Sequence, residues 1–202
     1  MKNLIITSFT AFLMFAFSPT ATAQEVGYEK GKTYFDIGIG APRFGFGNSY
    51  LYNNSGYNSY RVPVLRANVE IGFNELFSGG LYAGYSHYGY RWTNALGDWD
   101  TKYSFITAGF RGTFHIWDFI NENLDLGLGY EEFDLYASLM IGAQINSFSD
   151  KTPVNRTTNR STKAFFGITT GAKYYFTNKV AVFIEGGYGA SSYGLIGLTF
   201  KL

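Results

Sequence analysis

Apolar and polar residues alternate with period two along most of this 202-residue chain. Side chains on a strand point to opposite faces in turn, so this pattern predicts half-buried strands. Lys32–Pro42 sets Phe35, Ile37, Ile39 and Ala41 against Tyr34, Asp36, Gly38 and Gly40. Val62–Phe73 sets Leu65, Ala67, Val69, Ile71 and Phe73 against Arg66, Asn68, Glu70 and Gly72. Further stretches follow over Leu81–Tyr90, Lys102–His115, Phe133–Ile145, Ala164–Phe176, Val180–Gly189 and Tyr193–Leu202. That predicts eight strands. Most are as long as the ~9–11 residues a tilted strand needs to cross a bilayer, against ~5–6 in ordinary globular sheets.

The connections alternate as well. Asn74–Gly80 and Thr177–Lys179 are short, whereas Arg43–Arg61, Arg91–Thr101 and Asn146–Lys163 are long and polar. Short turns at one end and long loops at the other are expected of an outer-membrane barrel, with the turns in the periplasm. Ala190–Ser192 is short for an outer loop, and Ile116–Glu132 is long for a periplasmic turn. We read Ile116–Glu132 as a structured turn, with one helical turn near Trp117–Asn121, because a ninth strand would give an odd count.

Alternation does not say which face points inward. A soluble lipocalin-type barrel also has eight strands but points its apolar face in. The polar faces here are rich in glycine, a poor choice for a solvated surface, and carry few charges of balanced sign. Aromatic residues crowd the strand ends. Tyr85, Tyr88, Tyr90, Trp92, Trp99, Tyr103 and Phe105 lie at the loop side; Phe73, Phe77, Phe114, Trp117, Tyr174 and Phe176 lie at the turn side. Two such girdles mark the two membrane interfaces. The expected fold is therefore all-β: an eight-stranded antiparallel up-and-down transmembrane β-barrel in the cell outer membrane.

Composition narrows the rest. The net charge is +1 and there is no cysteine. Nucleic acid is not an expected partner, and disulfides, thiolate metal sites and a cysteine nucleophile are excluded. The N-terminus has Lys2, the apolar run Leu4–Phe17 and the small-x-small site Ala21-Thr22-Ala23. This is the layout of a secretory signal peptide over 1–23, cleaved before Gln24. Residues 24–31 then form a short periplasmic lead and 32–202 the barrel domain.

The segment Gly197-Leu198-Thr199-Phe200-Lys201-Leu202 has the form Gly-x-x-aromatic-x-apolar. It resembles the C-terminal signal of outer-membrane proteins that the barrel-assembly machinery recognises, with Leu202 where a terminal aromatic is usual. Gly171–Leu202 and "FDLYASLMIGA", Phe133–Ala143, resemble the outer-membrane beta-barrel domain family of Bacteroidetes-type bacteria, whose broader relatives are small OmpX-like and OmpA-like barrels. The resemblance implies a location and a fold. It implies no activity.

Three sets of residues are candidates for chemistry. Asp36, Arg66, Glu70, Arg111, Lys173 and Glu185 all fall on the predicted inner face, three acids against three bases. Eight strands leave an interior just wide enough for side chains to fill it, which predicts a paired structural plug; a narrow ion or solute path is the alternative. Lys151, Arg156, Arg160 and Lys163 in the predicted loop Asn146–Lys163 are candidates for binding lipopolysaccharide phosphates. The Tyr- and Asn-rich segment Arg43–Arg61 resembles a binding surface. The expected function is a non-enzymatic envelope structural or surface-interaction role through the extracellular loops, with a narrow channel second and a lipid-modifying outer-membrane enzyme third. Of the two histidines, His87 alternates to the opposite face from Ser86, and His115 sits at the periplasmic rim. No cofactor or metal is expected. The expected partners are outer-membrane lipid, lipopolysaccharide and the assembly machinery, with the chain a monomer that displays its loops.

Overall fold

The computed structural model describes residues 27–42, 57–95, 97–117, 119–120, 132–189 and 192–202. The predicted signal peptide, its cleavage site and most of the segments 43–61 and 116–132 lie outside the described residues. The strands are β1 (Thr33–Pro42), β2 (Tyr57–Gly72), β3 (Phe77–Asn94), β4 (Gly97–His115), β5 (Phe133–Lys151), β6 (Arg156–Tyr175), β7 (Val180–Gly189) and β8 (Ser192–Lys201). They form one closed barrel in sequence order, and every neighbouring pair is antiparallel. Closure joins β1 to β8 in the register Tyr34↔Lys201 to Ala41↔Gly194, and the Leu202 amide donates to the Thr33 carbonyl at 2.8 Å. No strand edge is left open along that seam.

The alternation predicts the face of nearly every side chain. Polarity is inverted relative to a soluble protein. Phe110 and Ile141 are 67% and 64% exposed, while Arg66 and Glu185 are each 2% exposed. An apolar exterior around a charged interior is stable only where the exterior meets acyl chains. The membrane orientation therefore holds and the lipocalin alternative fails.

The predicted loops differ. Arg91–Thr101 and Asn146–Lys163 are largely strand, not loop. β3 and β4 stay paired up to Asn94↔Gly97, and β5 and β6 up to Lys151↔Arg156. Apolar alternation stops where the bilayer stops, but the hydrogen-bonded ladder continues into water, where neither face needs to be apolar. β2 likewise begins at Tyr57, inside the segment read as loop. Near the other end, residues 116–117 and 119–120 are helical, as expected for the start of that long turn.

Two irregularities are legible in local chemistry. The β2–β3 register shifts between Val62 and Leu65, bulging at Pro63, which has no amide to give the ladder. The β7–β8 register shifts between Gly186 and Gly189, and Gly187 there has φ +134°, which a side chain would strain.

The strands are unequal. β1, β7 and β8 have 10 residues each, whereas β2 to β6 have 16 to 20. Residues 156–167 of β6 extend past the last β6–β7 pair, Ile168↔Tyr188. At ~3.3 Å per residue and a tilt of ~40°, that stretch rises roughly 30 Å. β2 to β6 thus continue above the barrel as a curved sheet, with a concave face that continues the lumen and a convex face that continues the lipid side.

Candidate functional site

The barrel interior is the first site. All six predicted inner charges reach one buried network. Arg66 Nη2 lies 2.6 Å from Glu185 Oε1, and Arg111 Nη2 lies 2.8 Å from Glu185 Oε2. Arg111 Nε lies 3.1 Å from Glu70 Oε1, and Lys173 Nζ lies 3.2 Å from Asp36 Oδ1. Thr113 donates to Glu70 at 2.7 Å, and Arg111 donates to Ser138 at 2.8 Å. Tyr136 fills the space between them: it donates to Glu185 at 3.2 Å, and both Arg111 and Lys173 sit 5.5 Å from its ring centre. The charges cancel, and each bridges strands that are not neighbours. The Arg66–Glu185 contact is close but poorly aligned, since Arg66 Nη1 and Nη2 have no well-directed acceptor among the described residues.

Glycine makes room for this packing. A Cβ on Gly38 would lie 2.9 Å from the Phe183 ring, and one on Gly197 would lie 2.6 Å from it. The pair lets Phe183, 2% exposed, fold across the lumen. Gly197, singled out in the sequence as part of an expected C-terminal signal, has a packing role. Phe200 of the same motif stacks on Phe35 across the closing seam at 6.4 Å, and Leu202 stays exposed.

The periplasmic mouth is closed by the lead segment before β1. Tyr28 stacks on His115 with ring centres 3.5 Å apart and donates to the carbonyls of Asn74 and Phe77 at 2.9 and 2.8 Å. Lys201 holds the strap by bonding to the Gly27 carbonyl at 3.0 Å and pairing with Glu29. Beneath Tyr28, His115 Nε2 lies 2.9 Å from Ser78 Oγ, and His115 Nδ1 lies 2.9 Å from Asp134 Oδ1. Sequence reasoning missed this Ser–His–Asp row. Alternation put all three on the inner face at the turn end, but the register that aligns them was not read. Ser78 donates its proton to Glu70 at 2.8 Å. Ser78 Oγ is thus held by a carboxylate as well as by the ring, and Ser78 and His115 are 4% and 2% exposed beneath Tyr28, which leaves a substrate no approach to the hydroxyl. His87 does face away from Ser86; its Nδ1 lies 2.8 Å from Ser104 Oγ instead.

The raised sheet is the second site. The loop candidates are strand residues. Lys151, Arg156 and Arg160 sit on the convex face and Lys163 on the concave face, all exposed. Arg91 and Lys102 share the convex face, and both lie near Asp100, at 3.4 and 3.0 Å. The loop-side aromatics also differ from expectation. Only Tyr85 points to lipid. Tyr88, Tyr90, Trp92, Trp99, Tyr103 and Phe105 keep the inner parity of an unbroken β3–β4 register and cover the concave face. The turn-side girdle is as expected: Phe77 packs on Phe114 at 5.0 Å, and Trp117 on Phe133 at 6.1 Å.

Among the described residues no group of three or more His, Cys, Asp or Glu side chains could hold a metal ion. No protein-family model matches the sequence, and no curated protein matches it. Solved structures do resemble it. The attachment invasion locus protein Ail of Yersinia pestis, in complex with the heparin analogue sucrose octasulfate, matches at 10% identity and a TM-score of 0.46, over 86% of this chain and 96% of that one. The outer membrane protein OprG of Pseudomonas aeruginosa matches at 12% identity and 0.46, over 89% and 99%. The outer membrane protease OmpT of Escherichia coli matches at 12% identity and 0.39, over 93% and 100%. At these scores the likenesses carry no argument. The closed pairing and the inverted polarity carry it: the protein is an eight-stranded antiparallel barrel of the cell outer membrane.

Proposed function

We propose that this chain is a closed, non-enzymatic envelope barrel whose work is done by the sheet it raises above the membrane. The carrying observation is the inequality of the strands: β2 to β6 have 16 to 20 residues where 10 suffice for β1, β7 and β8. A purely structural anchor needs no such extension. The convex face turns toward the lipopolysaccharide layer, and Lys102, Lys151, Arg156 and Arg160 suit its phosphates. The same charges on the free part of β6 discourage edge-to-edge pairing between copies. The Gly197–Leu202 segment serves the assembly machinery, in keeping with the Bacteroidetes-type family that the closing hairpins resemble.

A channel is disfavoured by the neutral network across the lumen and by Tyr28 below it. Catalysis is disfavoured by the burial of Ser78 and His115 beneath Tyr28. Two measurements test the reading. Single-channel recording in planar bilayers is expected to give no steady conductance. An epitope inserted at residues 152–155 is expected to bind antibody on intact cells. A steady open pore would overturn the closed barrel, and an epitope reachable only in lysed cells would overturn the raised sheet.

A further inference from the structure

Above the Tyr82–Met140–Phe165 cluster, the concave face opens into a cavity of about 550 Å³ at the outer mouth of the barrel, which reaches round the edge of β6 where β7 ends to Ala164, Phe166 and Tyr188. Small-molecule sites are of this size. Its rings come from five strands, β3 to β7: Tyr88, Tyr103, Phe148, Phe165 and Tyr188 among them. They are held against one another. Tyr88 stacks on Tyr103 at 4.7 Å, Tyr103 packs on Phe148 at 5.0 Å, and Phe165 lies parallel to Tyr188 at 6.1 Å. The cavity is therefore organised in advance of any ligand, which lowers the ordering cost of binding.

The chemistry of the lining is selective. Ala164 is the only aliphatic residue among the described lining residues. A lipid tail would call for Leu, Ile or Val, and this chain places those on the opposite, lipid-facing side of the same strands. The polar groups are amides and hydroxyls. Gln144 Nε2 donates to Asn146 Oδ1 at 2.6 Å. This orients the pair so that an amide carbonyl and an amide NH2 are directed to other partners. Lys163 is the one charged group of the lining. A phosphate- or sulfate-rich ligand would need several cations, and those stand on the convex face. Above the cavity the same face carries Tyr90 and the stacked pair Trp92–Trp99, with Thr101 donating to Asp150 at 2.7 Å beside them.

Aromatic rings interleaved with amides and hydroxyls, without aliphatics and with little charge, match one ligand chemistry. The C–H faces of a pyranose ring meet the electron-rich ring faces, and its hydroxyls exchange hydrogen bonds with amides and phenols. We infer that the concave face of the raised sheet, centred on this cavity, binds a pyranose chain bearing few or no acidic groups. The inference rests on the reading of that sheet as a surface-interaction platform and names its ligand class. The chain could belong to the cell's own lipopolysaccharide or to a polysaccharide outside it; the chemistry is shared.

The test uses the full-length protein in phospholipid nanodiscs. It is titrated by calorimetry with maltohexaose, cellohexaose, chitohexaose and mannohexaose, and separately with the core oligosaccharide released from the host bacterium's lipopolysaccharide. Binding of at least one is expected with Kd between about 10 μM and 1 mM, little changed by salt. Binding confined to the core oligosaccharide assigns the cell's own glycan; binding of a hexasaccharide assigns an external one. Tyr103→Ala and Phe148→Ala are each expected to weaken binding about tenfold, as loss of one stacking ring does. Tyr103→Phe keeps the ring and should bind within about threefold of the parent, and Gln144→Leu keeps the packing but should lose at least about fivefold. Arg160→Ala on the convex face should change nothing. The inference is overturned if no saccharide binds below about 1 mM, if the ring variants bind normally, or if only a heparin hexasaccharide or naphthoate binds. Surface exposure and conductance are read in separate experiments, so the platform can survive the loss of this ligand class.

Discussion

Glu185→Gln separates a packed lumen from a wet one. Glu185 Oε1 pairs with Arg66 Nη2 at 2.6 Å, Glu185 Oε2 accepts from Arg111 at 2.8 Å, and all three side chains are about 1% exposed. Arg111 keeps Glu70 in the variant, but Arg66 loses its only ion-pair partner among the described residues. A unit charge pair at that distance is worth about 6 kcal/mol at an effective dielectric of about 20, against about 1.6 in bulk water. Stranding one member of a buried pair costs about 3–5 kcal/mol, whereas an exposed pair is worth at most about 1. We therefore expect Glu185→Gln to lower stability by about 3–5 kcal/mol. Adding Arg66→Met should restore most of that, because removing both charges leaves nothing uncompensated. The assay is urea unfolding in detergent micelles, followed by the fluorescence of Trp92, Trp99 and Trp117. A loss under about 1 kcal/mol, or a double variant weaker than the single one, would mean that water fills the lumen and that the plug does not exist.

Three further outcomes follow from other parts of the barrel. Gly197→Val would drive a Cβ against the Ile37 carbonyl oxygen and to 2.6 Å from both Gly38 Cα and the Phe183 ring; overpacking of about 1–3 kcal/mol or more is expected as a lowered urea midpoint, and Phe183→Ala should relieve only the part due to the ring. Tyr28→Ala removes the ring over His115 and two hydrogen bonds, so hydrogen exchange at Ser78 and His115 should rise at least tenfold, with a stability loss of about 3–5 kcal/mol. In the raised sheet, partial burial works against ionisation of Asp100, but Lys102 and Arg91 more than offset it and hold its carboxyl below the usual carboxylate range. A lowered folded-state value means that this contribution is present above the unfolded value, near pH ~3.9, and fades as pH falls through the folded one. Asp100→Asn should therefore cost under about 1 kcal/mol at pH 7 and nothing at pH ~2, compared by urea midpoint.

Within the bilayer the sequence was almost fully legible, because one physical rule acts on every residue there. A strand wall between lipid and a packed lumen forces strict alternation, so the partner faces of Asp36, Arg66, Glu70, Arg111, Lys173 and Glu185 could be read directly. Their pairing could not. Which acid meets which base depends on the stagger of strands that do not neighbour one another, and Lys173–Asp36 joins residues far apart in the chain. The Ser78–His115–Asp134 row escaped for the same reason, and Tyr28 because a strap before the first strand has no periodicity. Above the bilayer the rule lapses. Ser147 and Ser149 alternate with Asn146 and Phe148 in a paired strand as regular as any other, yet the pattern resembles a loop because water accepts either face. The aromatic cluster was read as a lipid girdle by composition alone. Carrying the parity of β3 from Tyr82 through Tyr88 to Trp92 would have turned it inward.

That inward turn ties the two halves of the molecule together. The face that packs ions against tyrosines in the lumen is the face that carries stacked rings above it, because the β3–β4 register runs unbroken from Phe77 to Asn94. The change of content along it follows the change of surroundings. Inside the bilayer, the ring of eight strands brings Arg66, Arg111 and Glu185 within contact across the barrel, and charge is tolerated because it is paired. Past Gly189 and Ser192 the wall of β7 and β8 ends, and opposite side chains no longer have a partner to meet. Charges left on the concave face there would sit open to water with no reason to be grouped. What the sequence places instead are Tyr88, Tyr103, Phe148 and Phe165, which lose most when left wetted. Large rings gathered on an open face are stabilised by one another only in part. The remainder of their exposed surface is the driving force available to a ligand, and it is greatest where the barrel wall is lowest, beside Tyr188.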